Sequence, residues 1–139
     1  MYDQVFGEMK YEHGWTKIEY VPFLDQMCRV EIFIKVYYDR NILDKQHDAY
    51  KYFIENHETI NSKLPQVITA YINNNKKEII SNYPNIDNKK KSDIIHPKTL
   101  LFNRDGSVVF LCDVPWDEEH GIGIQIYPEY KIDIQDNFI

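Results

Sequence analysis

The sequence predicts an α+β protein, a mostly antiparallel sheet of about six to seven strands with two helices packed on one face, in the order βββ-αα-ββββ. Three observations carry that expectation. Apolar and polar residues alternate before residue 37 and again after residue 99, the period lengthens to that of a helix between them, and turn-forming residues punctuate the strands.

In chain order, residues 4–11 and 15–20 form a predicted hairpin turned by Glu12-His13-Gly14. A third strand places Val30, Ile32, Ile34 and Val36 on one side, with Glu31, Lys35 and Tyr37 on the other and Phe33 as the exception. Such a strand has one buried face and one largely solvated face. Over 44–57, Ala49, Tyr50, Phe53, Ile54 and His57 recur at helical spacing, with Asp44 or Asp48 available near the N-terminus. A second helix is expected from about Ser62, which would cap it, with Pro65 in its first turn and Leu64, Val67, Ile68, Tyr71 and Ile72 as its stripe. Ile79, Ile80 and Tyr83 extend the stripe to Pro84, with a break offered by Asn73-Asn74-Asn75-Lys76-Lys77.

Residues 84–98 read as an exposed connection anchored by Ile94 and Ile95. Its lysine run has no interleaved aromatic residues, and the surrounding protein is acidic, so it reads as solvated rather than as a nucleic-acid contact. Strands then resume at 99–103 and 107–112 around the turn Asn103-Arg104-Asp105-Gly106, followed by 122–127 and 131–135. The 107–112 run is apolar on both faces, as a central strand should be.

A chain of 139 residues is read as one domain, 1–139, large enough for a core without disulfide or metal staples. Its 43% hydrophobic content excludes general disorder. It contains no 18-residue apolar run, and its first residues lack a secretory signal pattern. Cys28 and Cys112 read as buried free thiols of a reducing cytoplasm, with a bridge between them as the alternative. The net charge of −6 is unevenly spread: residues 73–98 carry six lysines against three acids, while 99–139 carry Arg104 and Lys131 against eight acids. An acidic C-terminal end repels nucleic acid and anionic membranes and favours basic partners, and it also serves solubility.

The densest chemistry lies in Trp116-Asp117-Glu118-Glu119-His120-Gly121, between two strands. If this segment is extended, Glu118 and His120 share one face while Asp117 and Glu119 share the other. A metal would take His120 through a ring nitrogen and Asp117 or Glu119 through oxygen, yet no second histidine stands at helical ligand spacing. The turn reading has Gly121 supplying a special backbone conformation, the acids hydrating the loop and Trp116 packing beneath it. Glu-His-Gly also occurs at 12–14, each copy near a tryptophan; a shared hairpin solution explains this, and a joint His13/His120 site is the sharper alternative. No Gly-x-Ser-x-Gly elbow, phosphate loop, dinucleotide fingerprint or zinc ribbon is present, and acids near Cys112 disfavour its thiolate. The chain is therefore read as non-enzymatic.

Val5-Phe6-Gly7, Gly14-Trp15 ahead of a strand, the helix bearing Gln46, Tyr50 and Phe53, and above all residues 116–121 resemble a family of small bacterial domains of unknown function. The resemblance spans most of the chain, and its specific part is the Trp-Asp-x-Glu-His-Gly segment. That family has no assigned activity, so the resemblance implies no catalytic residue and no cofactor. By size and charge the chain is similar to immunity proteins, which neutralise a toxin domain encoded beside them. The expectation is a cytoplasmic binding protein docking a basic toxin domain through Trp116, Asp117, Glu118, Glu119 and His120, without nucleic-acid or membrane partners. A metal-binding domain or metal-dependent hydrolase centred on Glu119 and His120 is one alternative, and a structural or regulatory domain another.

Overall fold

The computed structural model describes residues 1–139. Its strands are β1 (Tyr2–Asp3), β2 (Gly7–Glu8), β3 (Lys10–Tyr11), β4 (Trp15–Phe23), β5 (Gln26–Ile34), β6 (His96–Phe102), β7 (Val108–Asp113), β8 (Ile122–Tyr127) and β9 (Lys131–Ile134). Helices α1 (Asp44–Asn74), α2 (Lys76–Asn82) and α3 (Lys91–Ile94) lie between β5 and β6. Strands β3 to β9 form one seven-stranded sheet in sequence order, and β1 pairs with β2 in a separate small hairpin. Every neighbouring pair in the large sheet is antiparallel except β5–β6. A parallel pair needs a long crossover, and the helical block supplies it.

The predicted third strand is the second half of a longer hairpin. Phe23 pairs with Gln26, which leaves Leu24-Asp25 as a two-residue turn with Leu24 at φ +57°. Such a backbone costs a leucine roughly 1–2 kcal/mol. Leu24 packs against the core, and its carbonyl accepts a 2.7 Å bond from Asn61 Nδ2 on α1, which offset that cost. Without Gly or Asn at the left-handed position, the turn left no sequence signal.

The expected pair of long helices is one helix of 31 residues, with Pro65 inside it and Ser62 bonded to the Thr59 carbonyl rather than capping. An internal proline costs about 3 kcal/mol. Ile60, Leu64, Ile68 and Ile72 are all buried on one stripe across it, and burying each such side chain is worth about 1.5–3 kcal/mol, so the stripe outweighs the break. The helix does stop at the asparagines: Asn75 Nδ2 donates to the Tyr71 carbonyl at 2.9 Å, and α2 starts one residue later. Helix α2 ends before Pro84, as expected.

The helix start is held by Gln46. Its Oε1 accepts the Leu43 N–H at 2.9 Å, while its Nε2 donates to the carbonyls of Lys35 at 2.7 Å and Phe102 at 3.2 Å. One fully buried amide thus ties α1 to the ends of β5 and β6. From there α1 runs about 46 Å, longer than the roughly 30 Å of a nine-residue strand. Its last turn and α2 therefore reach the end of the sheet where the 116–121 segment lies.

The main core joins α1 to the sheet face carrying Val21, Phe23, Val30, Ile32, Ile34, Leu100, Phe102, Phe110, Ile122 and Ile124. The opposite face holds a small cluster of Leu101, Val109 and Phe138, against which Phe33 and Leu111 pack. That explains why Phe33 broke the alternation. The Phe138 ring lies over Gly123, where a β carbon would come within 2.3 Å of it. Cys28 and Cys112 are free, on β5 and β7 with β6 between them. No helix is long and apolar enough to cross a membrane.

Candidate functional site

Residues 114–121 join β7 to its antiparallel neighbour β8. They form turns rather than an extended segment, so the alternation that would put Glu118 and His120 on one face does not apply. Asp117 sets the turn instead. Its Oδ1 accepts the His120 N–H at 3.1 Å and lies 3.0 Å from His120 Nδ1, while its carbonyl accepts the Gly121 N–H at 2.8 Å. An aspartate that folds its own loop in this way is a common turn device.

Gly121 closes the loop at φ +63°. A β carbon there would lie 2.5 Å from the Cys112 carbonyl oxygen and 2.4 Å from Gln135 Nε2. The same Gln135 Nε2 donates to the Cys112 carbonyl at 2.9 Å. The glycine is therefore required twice, by its backbone conformation and by the closeness of that bond. Trp116 is buried within the main core. Glu118 and Glu119 are exposed. The loop thus has a packed frame and an acidic edge.

Electrostatics follow the same division. The Asp117 carboxylate beside His120 raises the imidazole above its usual range, and Glu119 and Asp136 add to the effect. Burial pushes the Cys112 thiol up, reinforced by Asp113, so its thiolate is disfavoured as expected, with burial as the leading cause.

Beside the loop, Tyr71, Asn75, Glu78, Ile79 and Asn82 of the helical shelf face Trp116, Asp117, His120, Ile122 and Ile134 across a concavity of about 310 Å³. Burial pushes the Tyr71 phenol up, with Asp133, Asp117 and Glu78 acting in the same direction, so it remains a proton donor. Its lining mixes apolar side chains with Asn75, Asn82 and His120, and it carries a carboxylate on each side, from Glu78 and Asp117. The helical half of it was missed in the sequence. Tyr71 was expected on the apolar stripe and Asn75 in the helix break, but no local signal points either at residues 116–120.

A metal centre on Glu119 and His120 finds no ligand set here. His120 is paired with Asp117, and no three His, Cys, Asp or Glu side chains gather at ligand spacing. The two Glu-His-Gly copies also lie apart. The 12–14 turn joins β3 to β4 at one edge and one end of the sheet, while 119–121 lies at the opposite end, beyond β7. Both copies connect antiparallel neighbours, but their backbones differ. His13 takes the positive φ in the first copy and Gly121 in the second.

Fold and loop together define a small α+β domain that displays an acidic loop at one end of its sheet. The chain belongs to the DUF6985 family, a domain of unknown function whose model matches residues 5–136. No curated protein matches the chain, and no solved structure does.

Proposed function

We propose that this protein is a non-enzymatic binding protein of the cytoplasm, immunity-like in role, whose acidic C-terminal end docks and neutralises a basic toxin domain. The supporting observation is the division of labour in residues 116–121. Trp116 and Gly121 hold the loop, Asp117 and His120 fix its turn, and Glu118 and Glu119 stand exposed on it. A rigid acidic edge needs little ordering when it binds, and its charge steers a cationic partner. The adjoining concavity, with Tyr71, Glu78 and Asp117 on its walls, suits a lysine or arginine side chain from that partner. Free thiols on both cysteines suit a reducing compartment.

The test is titration of this protein with the product of the neighbouring gene. The expected result is tight binding that weakens steeply with salt and falls by at least about tenfold in Glu118→Lys/Glu119→Lys. Absence of binding at low salt, or full binding by the charge-reversed variant, would remove the proposal.

A further inference from the structure

The lysine run lies against a different face of α1 from Tyr71 and Asn75, which line the concavity beside the acidic loop. Pro65, Thr69 and Asn73 stand four residues apart along α1 and so share one face. The 86–94 segment runs beside that face, leaving two concavities of about 430 and 110 Å³ that share Lys89 and Lys91. Lys76 is engaged with Asp87, and Lys90 is engaged with Asp25 at 2.5 Å. Lys89 and Lys91 have no ion-pair partner. Ser92, 6% exposed, is among the residues that line the larger concavity, and its buried Oγ has no hydrogen-bond partner. A buried hydroxyl in that condition is uncommon and calls for an acceptor.

We propose that this groove binds an oxyanion of the phosphate type, seated on Ser92 Oγ and Lys90 and flanked by Lys89 and Lys91. Several features favour that chemistry. The cations are lysines, compact point charges that suit a tetrahedral anion rather than a planar carboxylate fork. Thr69 and Asn73 offer further neutral donors along the groove. No aromatic side chain lines either concavity, so nothing there stacks a base. The seat already attracts an anion. Asp25, on the Leu24-Asp25 turn, pairs with Lys90 and faces Ser92 without reaching hydrogen-bond geometry. The Lys90 ammonium leads in holding the Asp25 carboxyl below its usual range, and the nearby Ser92 hydroxyl acts in the same direction from outside full hydrogen-bond geometry. Asp25 is the internal competitor that a stronger oxyanion displaces.

Inorganic pyrophosphate is the probe, titrated by calorimetry and by amide NMR at constant ionic strength. The expected result is saturable one-to-one binding that moves the amides of Ser92, Thr69 and residues 89–91. Lys89→Ala/Lys91→Ala should weaken it at least about tenfold, whereas Asp25→Asn should tighten it by removing the competitor. Asp25 and Lys89 are exposed and Lys91 is half-buried, and an unchanged urea midpoint confirms that the variants fold. Sedimentation with phosphatidic acid vesicles, dependent on Lys89 and Lys91, would assign the oxyanion to a lipid headgroup. No sedimentation with pyrophosphate binding intact would assign a soluble phosphate. Shifts reproduced by sodium chloride, binding that survives the double variant, or binding weakened by Asp25→Asn would each overturn the site. The outcome is independent of whether Glu118 and Glu119 dock a protein.

Discussion

Asp117 Oδ1 lies within hydrogen-bond distance of two nitrogens of His120, the backbone N at 3.1 Å and ring Nδ1 at 3.0 Å. The pairing raises the imidazole's proton affinity. A raised folded-state value means that its contribution to stability is fully present below the unfolded histidine value of about 6.5 and is lost as pH rises through the folded value. Asp117→Asn should therefore bring the His120 titration, followed by NMR, down towards that ordinary value. A titration that does not move would mean that Asp117 is not the partner that matters.

Trp116 and Gly121 should behave as frame and Glu118 as edge. Trp116→Ala should cost about 3–5 kcal/mol, as large aromatic truncations in cores do. Gly121→Val should also destabilise, because it meets both a left-handed backbone and two atoms within 2.5 Å. Glu118→Gln, at an exposed position, should stay within about ±0.5 kcal/mol. Urea unfolding of the three variants ranks them, and the reverse order would invert the assignment of frame and edge.

Much of the fold was legible because its signals are local. Alternation placed β8, β9 and the inward side of β5, a run apolar on both faces placed β7, Asn103 to Gly106 announced its own turn, and the asparagines marked the end of α1. The errors arose where tertiary contacts override local preference. Ser62 and Pro65 look like a helix start, but a stripe from Ile60 to Ile72 carries the helix through them. The Leu24-Asp25 turn has no glycine and leans on Asn61, far along the chain. For the site, Trp116 and Gly121 were identifiable by residue type, and the expected solvation of the acids holds for Glu118 and Glu119. The Asp117–His120 pairing was not, because an i,i+2 rule for extended chain fails once the segment turns. The Tyr71 and Glu78 wall comes from the length of α1, which a split helix hid, and from α2 directly after it.

Gln46 should be among the most sensitive polar residues outside that loop. It is fully buried and satisfies one N–H and two carbonyls across three elements. Gln46→Ala leaves all three groups without that partner and opens a cavity, so a loss of about 2–4 kcal/mol is expected. Gln46→Glu keeps the shape and the acceptor for Leu43, but turns a donor into an oxygen facing two carbonyls. It should be at least as damaging at neutral pH and partly recover in acid. Denaturant midpoints of both variants at neutral and acidic pH test this, and a neutral effect of Gln46→Ala would mean that water replaces the clamp.

Acid should act first on the N-terminal hairpin. Asp3 accepts the Val5 and Phe6 N–H groups at 2.9 Å each and pairs with His47 Nε2 on α1 at 2.9 Å. Burial alone would push its carboxyl up, but the Phe6 N–H, His47 and the Val5 N–H together bring it below the usual value. For a depressed carboxylate the stabilisation is present above the unfolded value of about 3.9 and is lost as pH falls through the folded value. Phe6, which packs on His47, Tyr50 and Phe102, would lose the turn that aims its ring. Amide exchange of residues 2–9 should thus accelerate on acidification before that of β7 and β8. Asp3→Asn, which cannot pair with His47 as an anion, should show faster exchange there already at neutral pH. Equal protection of the hairpin in both proteins would show that Phe6 packing alone secures it.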